Sequence, residues 1–175
     1  MKRYITPFSH ATEILEALRS GILLTAKAEG QLNTMSISWG TLGIQWSKPV
    51  FVVYVRGCRH TKHMLDQNPE FTVNVPLGKA DPQVIAFCGS KSGRDVDKFQ
   101  ALQLTPEVPD VISVPGIKEF PLTLECRVVY TQQQVPESFC CPHTRAHYPE
   151  NSTNIHDDFH TAYYGEIVSA YIIEE

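Results

Sequence analysis

The sequence contains no apolar run long enough to cross a bilayer. The run around Ile22-Leu23-Leu24 is far too short, since a spanning helix needs about 20 such residues. The first 15 residues have polar residues interspersed throughout and lack the apolar centre of a secretory signal, so no leader is expected. Disulfide-like spacing is missing as well. Five cysteines, an odd number, point to reduced thiols and a cytoplasmic setting. There is no Gly-x-Gly-x-x-Gly run, which argues against a doubly wound dinucleotide fold. There is no Gly-x-Ser-x-Gly either, which removes the usual nucleophile elbow of a Ser-His-Asp hydrolase. No internal repeat, low-complexity tract, basic arm or RNP-like aromatic motif occurs. With a net charge of -4, no nucleic-acid partner is expected.

What is present fits one globular domain. The 175 residues suffice for a sizeable core, and 42% apolar with 19% charged residues is the balance of a soluble domain. The charge is unevenly placed. Arg56, Arg59, Lys62, Lys79, Lys91, Arg94 and Lys98 fall within one stretch and make up close to half of the 15 cations. A local basic patch on a mildly acidic chain suggests a small anionic ligand.

Residues 9–18 place Ala11, Ile14, Leu15 and Leu18 at helical spacing and predict a short amphipathic helix. A strand is expected over 22–27, a hairpin turn at Glu29-Gly30, and a return strand over 32–39. On that return strand Met35, Ile37 and Trp39 face one way, and Thr34, Ser36 and Ser38 face the other. Pro49 precedes an apolar run over 50–55 typical of a buried strand. Thr61 suits the N-cap of a helix over 62–68, and 71–75 is a further strand closed by Pro76. Pro106, Pro109 and Pro115 break the stretch 103–120, with a short strand expected over 111–114. Residues 122–130 alternate as a half-buried strand, and the last strand runs from His160 or Thr161 to Ile173. Between them, about 132–158 forms a long polar excursion. Strands in hairpin-like succession with only short helices point to a closed antiparallel barrel.

Two stretches carry the chemistry. Residues 87–99 pack Gly89, Gly93, Ser90, Ser92 and three cations between two short helical segments. Gly89 suits a helix C-cap and Asp95 the N-cap of the next helix. Exposed backbone N–H groups beside cations describe an anion cradle. The same residues also read as an ordinary helix–loop–helix connection. The second stretch, Arg56-Gly57-Cys58-Arg59-His60-Thr61, joins a strand to a helix N-terminus. It reads either as a phosphate site with bidentate arginines or as a solvated rim. Together with the hydroxyl-bearing strand Asn33 to Ser38, the two cradles suit a ligand flat at one end and phosphorylated at the other. Cys140-Cys141-x-His143-x3-His147 holds soft ligands close together, but adjacent cysteines rarely both turn to one ion, and no metal is expected. His156-x3-His160 sits at the entry to a strand, where that spacing does not converge.

Asn33-Thr34-Met35-Ser36-Ile37-Ser38-Trp39, then Arg56-Gly57-Cys58-Arg59-His60-Thr61, then the run from Cys88 to Phe99 resemble the flavin reductase-like family, in its flavoredoxin branch. The likeness ends with Leu124-Glu125-Cys126 and the run from His160 to Ile167. It implies a mainly β fold, a six-stranded antiparallel Greek-key split β-barrel with short peripheral α-helices, spanning 1–175 as one domain. It also implies a homodimer with FMN near the subunit interface. By resemblance, Asn33, Thr34, Met35, Ser36, Ile37 and Ser38 contact the isoalloxazine ring. Arg56, Arg59, His60 and Thr61 hold the phosphate and ribityl end. Cys88, Gly89, Ser90, Ser92 and Gly93 line the other side, with Lys98, Phe99 and His160 nearby. The family often has an aromatic residue where His60 stands, and its turn is shorter than the excursion at 132–158. The implied activity takes hydride from NADH or NADPH onto FMN and passes electrons to a small-molecule or protein acceptor. The other readings are an FMN carrier or redox sensor using Cys140 and Cys141, and a metal module built on the excursion.

Overall fold

The computed structural model describes residues 1–148 and 158–174. Strand β1 (Lys2–Tyr4) is followed by a 3-10 turn and helix α1 (Ala11–Ser20), which buries Ile14 and Leu18. The hairpin of β2 (Ile22–Ala28) and β3 (Gln31–Ile37) turns on Glu29 and Gly30, both at positive φ, as the primed turn of a twisted hairpin requires. A second hairpin, β4 (Gly40–Gln45) and β5 (Lys48–Arg56), was not legible in the sequence. Its turn residues Trp46 and Ser47 also take positive φ, and no glycine or asparagine marks them. Helix α2 (His60–Gln67), strand β6 (Glu70–Val75), helix α3 (Pro82–Ser90) and helix α4 (Lys98–Ala101) follow. The short pair β7 (Pro106–Glu107) and β8 (Gly116–Ile117) precedes the long strand β9 (Leu122–Gln133). A single-turn helix α5 (Pro142–Arg145) and strand β10 (His160–Ile173) complete the described chain.

The main sheet runs β3-β2-β6-β9-β10-β5-β4, antiparallel throughout, with β1 added against β10. The mainly β barrel with short helices is the expected architecture. It has eight strands in this sheet rather than six, because β1 and β4 join it, and the hydrogen-bonded path has two ends, at β3 and β4. The central apolar cluster gathers Ile14, Leu24, Phe51, Phe71, Leu124 and Tyr163. A smaller cluster of Leu23, Cys88, Phe99, Leu104, Ile117 and Phe120 fills the space between the sheet and α3–α4.

Several local expectations are corrected. Gly89 lies inside α3, whose C-cap is Lys91. Asp97, not Asp95, caps α4 by accepting from the Gln100 N–H at 3.1 Å. Thr61 sits within α2, whose N-cap is Arg59, and its hydroxyl accepts from Asn33 instead. Residues 111–114 are not a strand. Nor is β9 half-buried over its first five residues, where both faces are covered. The reason is one side chain. Glu125 has 0% exposure, and its carboxylate accepts from the backbone N–H groups of Asp110 (2.7 Å), Val111 (2.8 Å) and Ile112 (3.3 Å). The proline-broken loop folds over β9 because this buried carboxylate must be paired.

Glu125→Ala would strand those three N–H groups. We expect a loss of about 3 kcal/mol of unfolding free energy, read as a lower urea midpoint. Amide exchange at Val111 and Ile112 should rise with it. An unchanged midpoint would refute this role.

Candidate functional site

The two cationic stretches meet. Asn33 Nδ2 donates to Thr61 Oγ1 at 2.9 Å, tying β3 to α2. Arg59 Nη1 donates to the Gly89 carbonyl at 3.0 Å, and Arg94 Nη1 to the Cys58 carbonyl at 3.3 Å. Lys98, 3% exposed, donates from Nζ to the carbonyls of Thr34 (2.8 Å) and Cys88 (3.1 Å), joining α4 to β3 and α3. Small residues permit the approach. A Cβ on Gly89 would lie 2.6 Å from Ser36 Oγ, and one on Gly93 2.3 Å from Asn33 Oδ1.

Two adjoining cavities result. The first, about 150 Å3, is bounded by the Arg59–Thr61 turn and the Cys88–Arg94 loop, with Asn33 and Met35 on β3 as its floor. Among the described residues its charged lining consists of Arg59, Lys91, Arg94 and Lys98, with no carboxylate. His60 Nδ1 is buried there without a partner among the described residues. Burial, reinforced by Arg94, lowers the His60 pKa, so the ring favours its neutral form. The second cavity, about 190 Å3, is lined by Ser36, Ile37, Ser38, Trp39, Tyr54, Arg56 and His160. Met35 and Arg59 border both. A larger cavity of about 730 Å3 lies apart, between α1 and the segment leading into α3. Glu13 and Glu16 beside Lys79 give it no coherent charge preference.

Most of the expected residues therefore border one composite depression. Asn33, His60, Thr61, Cys88, Ser90, Ser92, Gly93 and Lys98 lie at its cationic end, and Ser36, Ile37, Ser38, Arg56 and His160 at its aromatic end. Three do not line it. Thr34 is buried on the sheet face opposite the barrel core, where its hydroxyl donates to the Leu24 carbonyl and lies beside Thr25 Oγ1, each at 3.2 Å. Phe99 belongs to the smaller apolar cluster, and Gly89 acts as a spacer behind Ser36. Arg56 and Arg59 part company. Arg59 borders the cationic cavity, whereas Arg56 donates to Asp158 Oδ2 and to the His147 carbonyl, each at 3.0 Å. Trp39, Tyr54 and Cys58 were not among the expected site residues. Tyr54 is hidden in an apolar strand run, and no local signal marks its outward turn.

The described part of the excursion packs on the aromatic end. Tyr148 stacks on Phe159 with centroids 4.8 Å apart, and the Arg56 guanidinium lies 5.3 Å from its ring centre. Trp39 is 5.2 Å from His147 and 4.9 Å from His160, centroid to centroid. His160 is 7% exposed, and burial, helped by Arg56, pushes its pKa down to about 4. Cys140 and Cys141 are free and exposed. Among the described residues no three His, Cys, Asp or Glu side chains gather as a metal site; His156 lies outside them. No helix among the described residues is long and apolar enough to cross a membrane.

Fold and site define a split-barrel protein with an anion-suited hollow beside an aromatic one. More narrowly, the chain belongs to the flavin reductase like domain family, whose model matches residues 19–175. It is 30% identical over 117 residues to an uncharacterized protein of Archaeoglobus fulgidus, covering 67% of this chain and 64% of that one, slightly under two thirds of the relative's length. It is similar to the flavoredoxin of Methanosarcina acetivorans, at 27% identity and TM-score 0.65, over 88% of this chain and 68% of that one. The fold is shared with the flavoredoxin of Desulfovibrio vulgaris (Miyazaki F), at 22% identity and TM-score 0.66, over 88% and 69% of the two chains.

The depressed pKa of His160 makes acid destabilising. The native ring resists a proton that the unfolded ring takes up near its ordinary value, so this contribution to stability is complete above that value. It falls away as pH drops toward the folded pKa of about 4. Arg56, Arg59 and His147 oppose protonation, while Asp158 favours it. Between pH 7 and pH 5 the group should remove about 2 kcal/mol. His160→Gln should lose correspondingly less stability over that interval in urea melts. An identical pH slope in both proteins would contradict the assignment.

Proposed function

We propose that the chain binds FMN, with the phosphate in the cationic cavity and the flavin ring in the aromatic one, and works as an NAD(P)H-dependent FMN oxidoreductase. The observation that carries this reading is a hollow whose charged lining, among the described residues, is four cations, opening beside a hollow walled by Trp39, Tyr54 and His160. Arg59 and Arg94 offer bidentate donors and Lys91 a point charge, while the first turn of α2 adds N–H groups that have no partner within the helix. The unpartnered His60 Nδ1 is a further polar atom for the ribityl chain. The hydroxyls of Ser36 and Ser38 and the backbone of β3 face the ring edge, whose polar atoms must be paired.

When bound, FMN would supply acceptance of hydride from NADH or NADPH and delivery of electrons to a second acceptor. The chain's own residues bind it, orient it and shield one face from water. No side chain need act as general acid or base. A carrier or sensor without nicotinamide turnover is the second reading. In its favour, Cys140 and Cys141 are exposed, and backbone N–H groups of His143 and Thr144 lower the Cys141 pKa. Free, exposed thiols also suit a reducing, cytoplasmic compartment.

The homodimer belongs to this proposal too. The outer face of β4, β5, β10 and β9 exposes Ile44 (72%) and Trp46 (56%) beside Tyr130 and Tyr164. Its ion pair Lys48–Glu166, at 2.7 Å, is already neutralised, so two copies can meet there without repulsion.

Arg59→Ala should weaken FMN binding by about 1.5–3 kcal/mol, the scale of a charge-assisted hydrogen bond, with riboflavin binding almost unchanged. Equal losses for both flavins, or none, would sink the phosphate assignment. NADH and NADPH oxidation no faster with protein than without would leave only the carrier reading. Trp46→Glu should convert a dimer to a monomer in sedimentation; a mass unaltered by the substitution would remove this face from the interface.

A further inference from the structure

The excursion reaches the aromatic cavity through one hydrogen-bonded chain. The Gln134 N–H donates to the His160 carbonyl at 2.9 Å, which sets Gln134, just past the end of β9, beside the first residue of β10. The Tyr148 hydroxyl lies 2.7 Å from Gln134 Oε1 and 2.5 Å from His160 Nδ1. The phenol has one proton. The amide oxygen of Gln134 carries none, so the phenol must donate to it, or two lone pairs would face each other at hydrogen-bond distance. His160 must then donate its own Nδ1–H to the phenol oxygen. Its ring is buried and neutral and holds a single proton, so Nε2 is left bare. His160 lines the aromatic cavity, and Nε2 is the one polar ring atom it has left to offer there.

We propose that Tyr148 is a positioning residue that fixes His160 in its Nδ1–H tautomer, so that Nε2 accepts a hydrogen bond in the aromatic cavity and selects a ring with an N–H on its edge. The identity of that ring rests on the FMN reading, in which the donor is the N3–H of the flavin; the tautomer does not. Arg56 holds the device in place, since its guanidinium grips Asp158 and the His147 carbonyl and lies over the Tyr148 ring. A stretch of chain outside the barrel thereby sets the hydrogen-bonding sense of a residue inside the cavity.

The test is long-range 1H–15N correlation on 15N-histidine-labelled, ligand-free protein at pH 7, with His160→Gln assigning the signals. The expected result is an unprotonated Nε2 and a protonated Nδ1 at His160. Gln134→Leu removes the acceptor of the phenol proton while keeping Tyr148, and should turn His160 over to the Nε2–H tautomer. Tyr148→Phe should do the same. An Nε2–H signal in the unmodified protein overturns the proposal, whether or not FMN binds. In parallel, FMN and 3-methyl-FMN are titrated. The unmodified protein should prefer FMN by about tenfold, the scale of one hydrogen bond, and Gln134→Leu should narrow that preference to within about threefold. Equal affinity for both flavins in the unmodified protein overturns the selection. The expected tautomer with no binding of either flavin supports the positioning role and defeats the FMN reading alone.

Discussion

A buried ammonium holds the depression in shape. Lys98 Nζ sits between the carbonyls of Thr34 and Cys88, and so pins β3, α3 and α4 to one point. Stripping such an ion of water costs several kcal/mol, and each charge-assisted bond to a carbonyl returns about 1.5–3 kcal/mol. Burial accordingly lowers its pKa, with Cys88 acting in the opposite direction. The spacing between β3 and the 89–94 loop follows from this tie. Only at that spacing do Gly89 and Gly93 leave room for Ser36 and Asn33, and only then do Arg59 and Arg94 converge on the same hollow. Lys98 serves the site chiefly by building its wall.

The depression is divided electrostatically. One end gathers four cations and, among the described residues, no lining carboxylate. At the other end Arg56 is drawn toward Asp158 and the excursion, Arg59 is shared with the cationic end, and His160 is kept neutral. This leaves a positive end for an anionic group and an aromatic end where a neutral ring can lie without facing an unpaired charge. The described part of the excursion contributes to the second end: Tyr148 and His147 close over Arg56, Trp39 and His160.

Much of the fold was legible because it is written in local pattern. The Glu29-Gly30 turn, the continuous apolar run of β5 and the long terminal strand β10 all lie where periodicity and turn chemistry put them. What was missed lacked a local mark. The Trp46-Ser47 turn takes positive φ without glycine, so β4 went unseen. The face of β9 that bears Thr123 and Glu125 reads as solvent-facing until the 108–117 loop is folded onto it. Cap positions shifted by two residues at α4, since Asp95 and Asp97 are both competent caps and packing chose between them.

The amino-acid sequence alone determined the kinds of group available: two clusters of nitrogen donors, a strand of small hydroxyls, and glycines where backbones would have to approach. Composition and periodicity are properties of neighbours along the chain, and they suffice for that inventory. Which donors share a cavity was decided by tertiary structure. Arg56 and Arg59 are three positions apart, yet one is committed to the excursion and the other borders the cationic hollow. Thr34 and Phe99 are buried away from the site although adjacent residues face it. Direction is set by strand register and by long-range partners such as Lys98 and Glu125, and those contacts exist only once residues distant along the chain have been brought together.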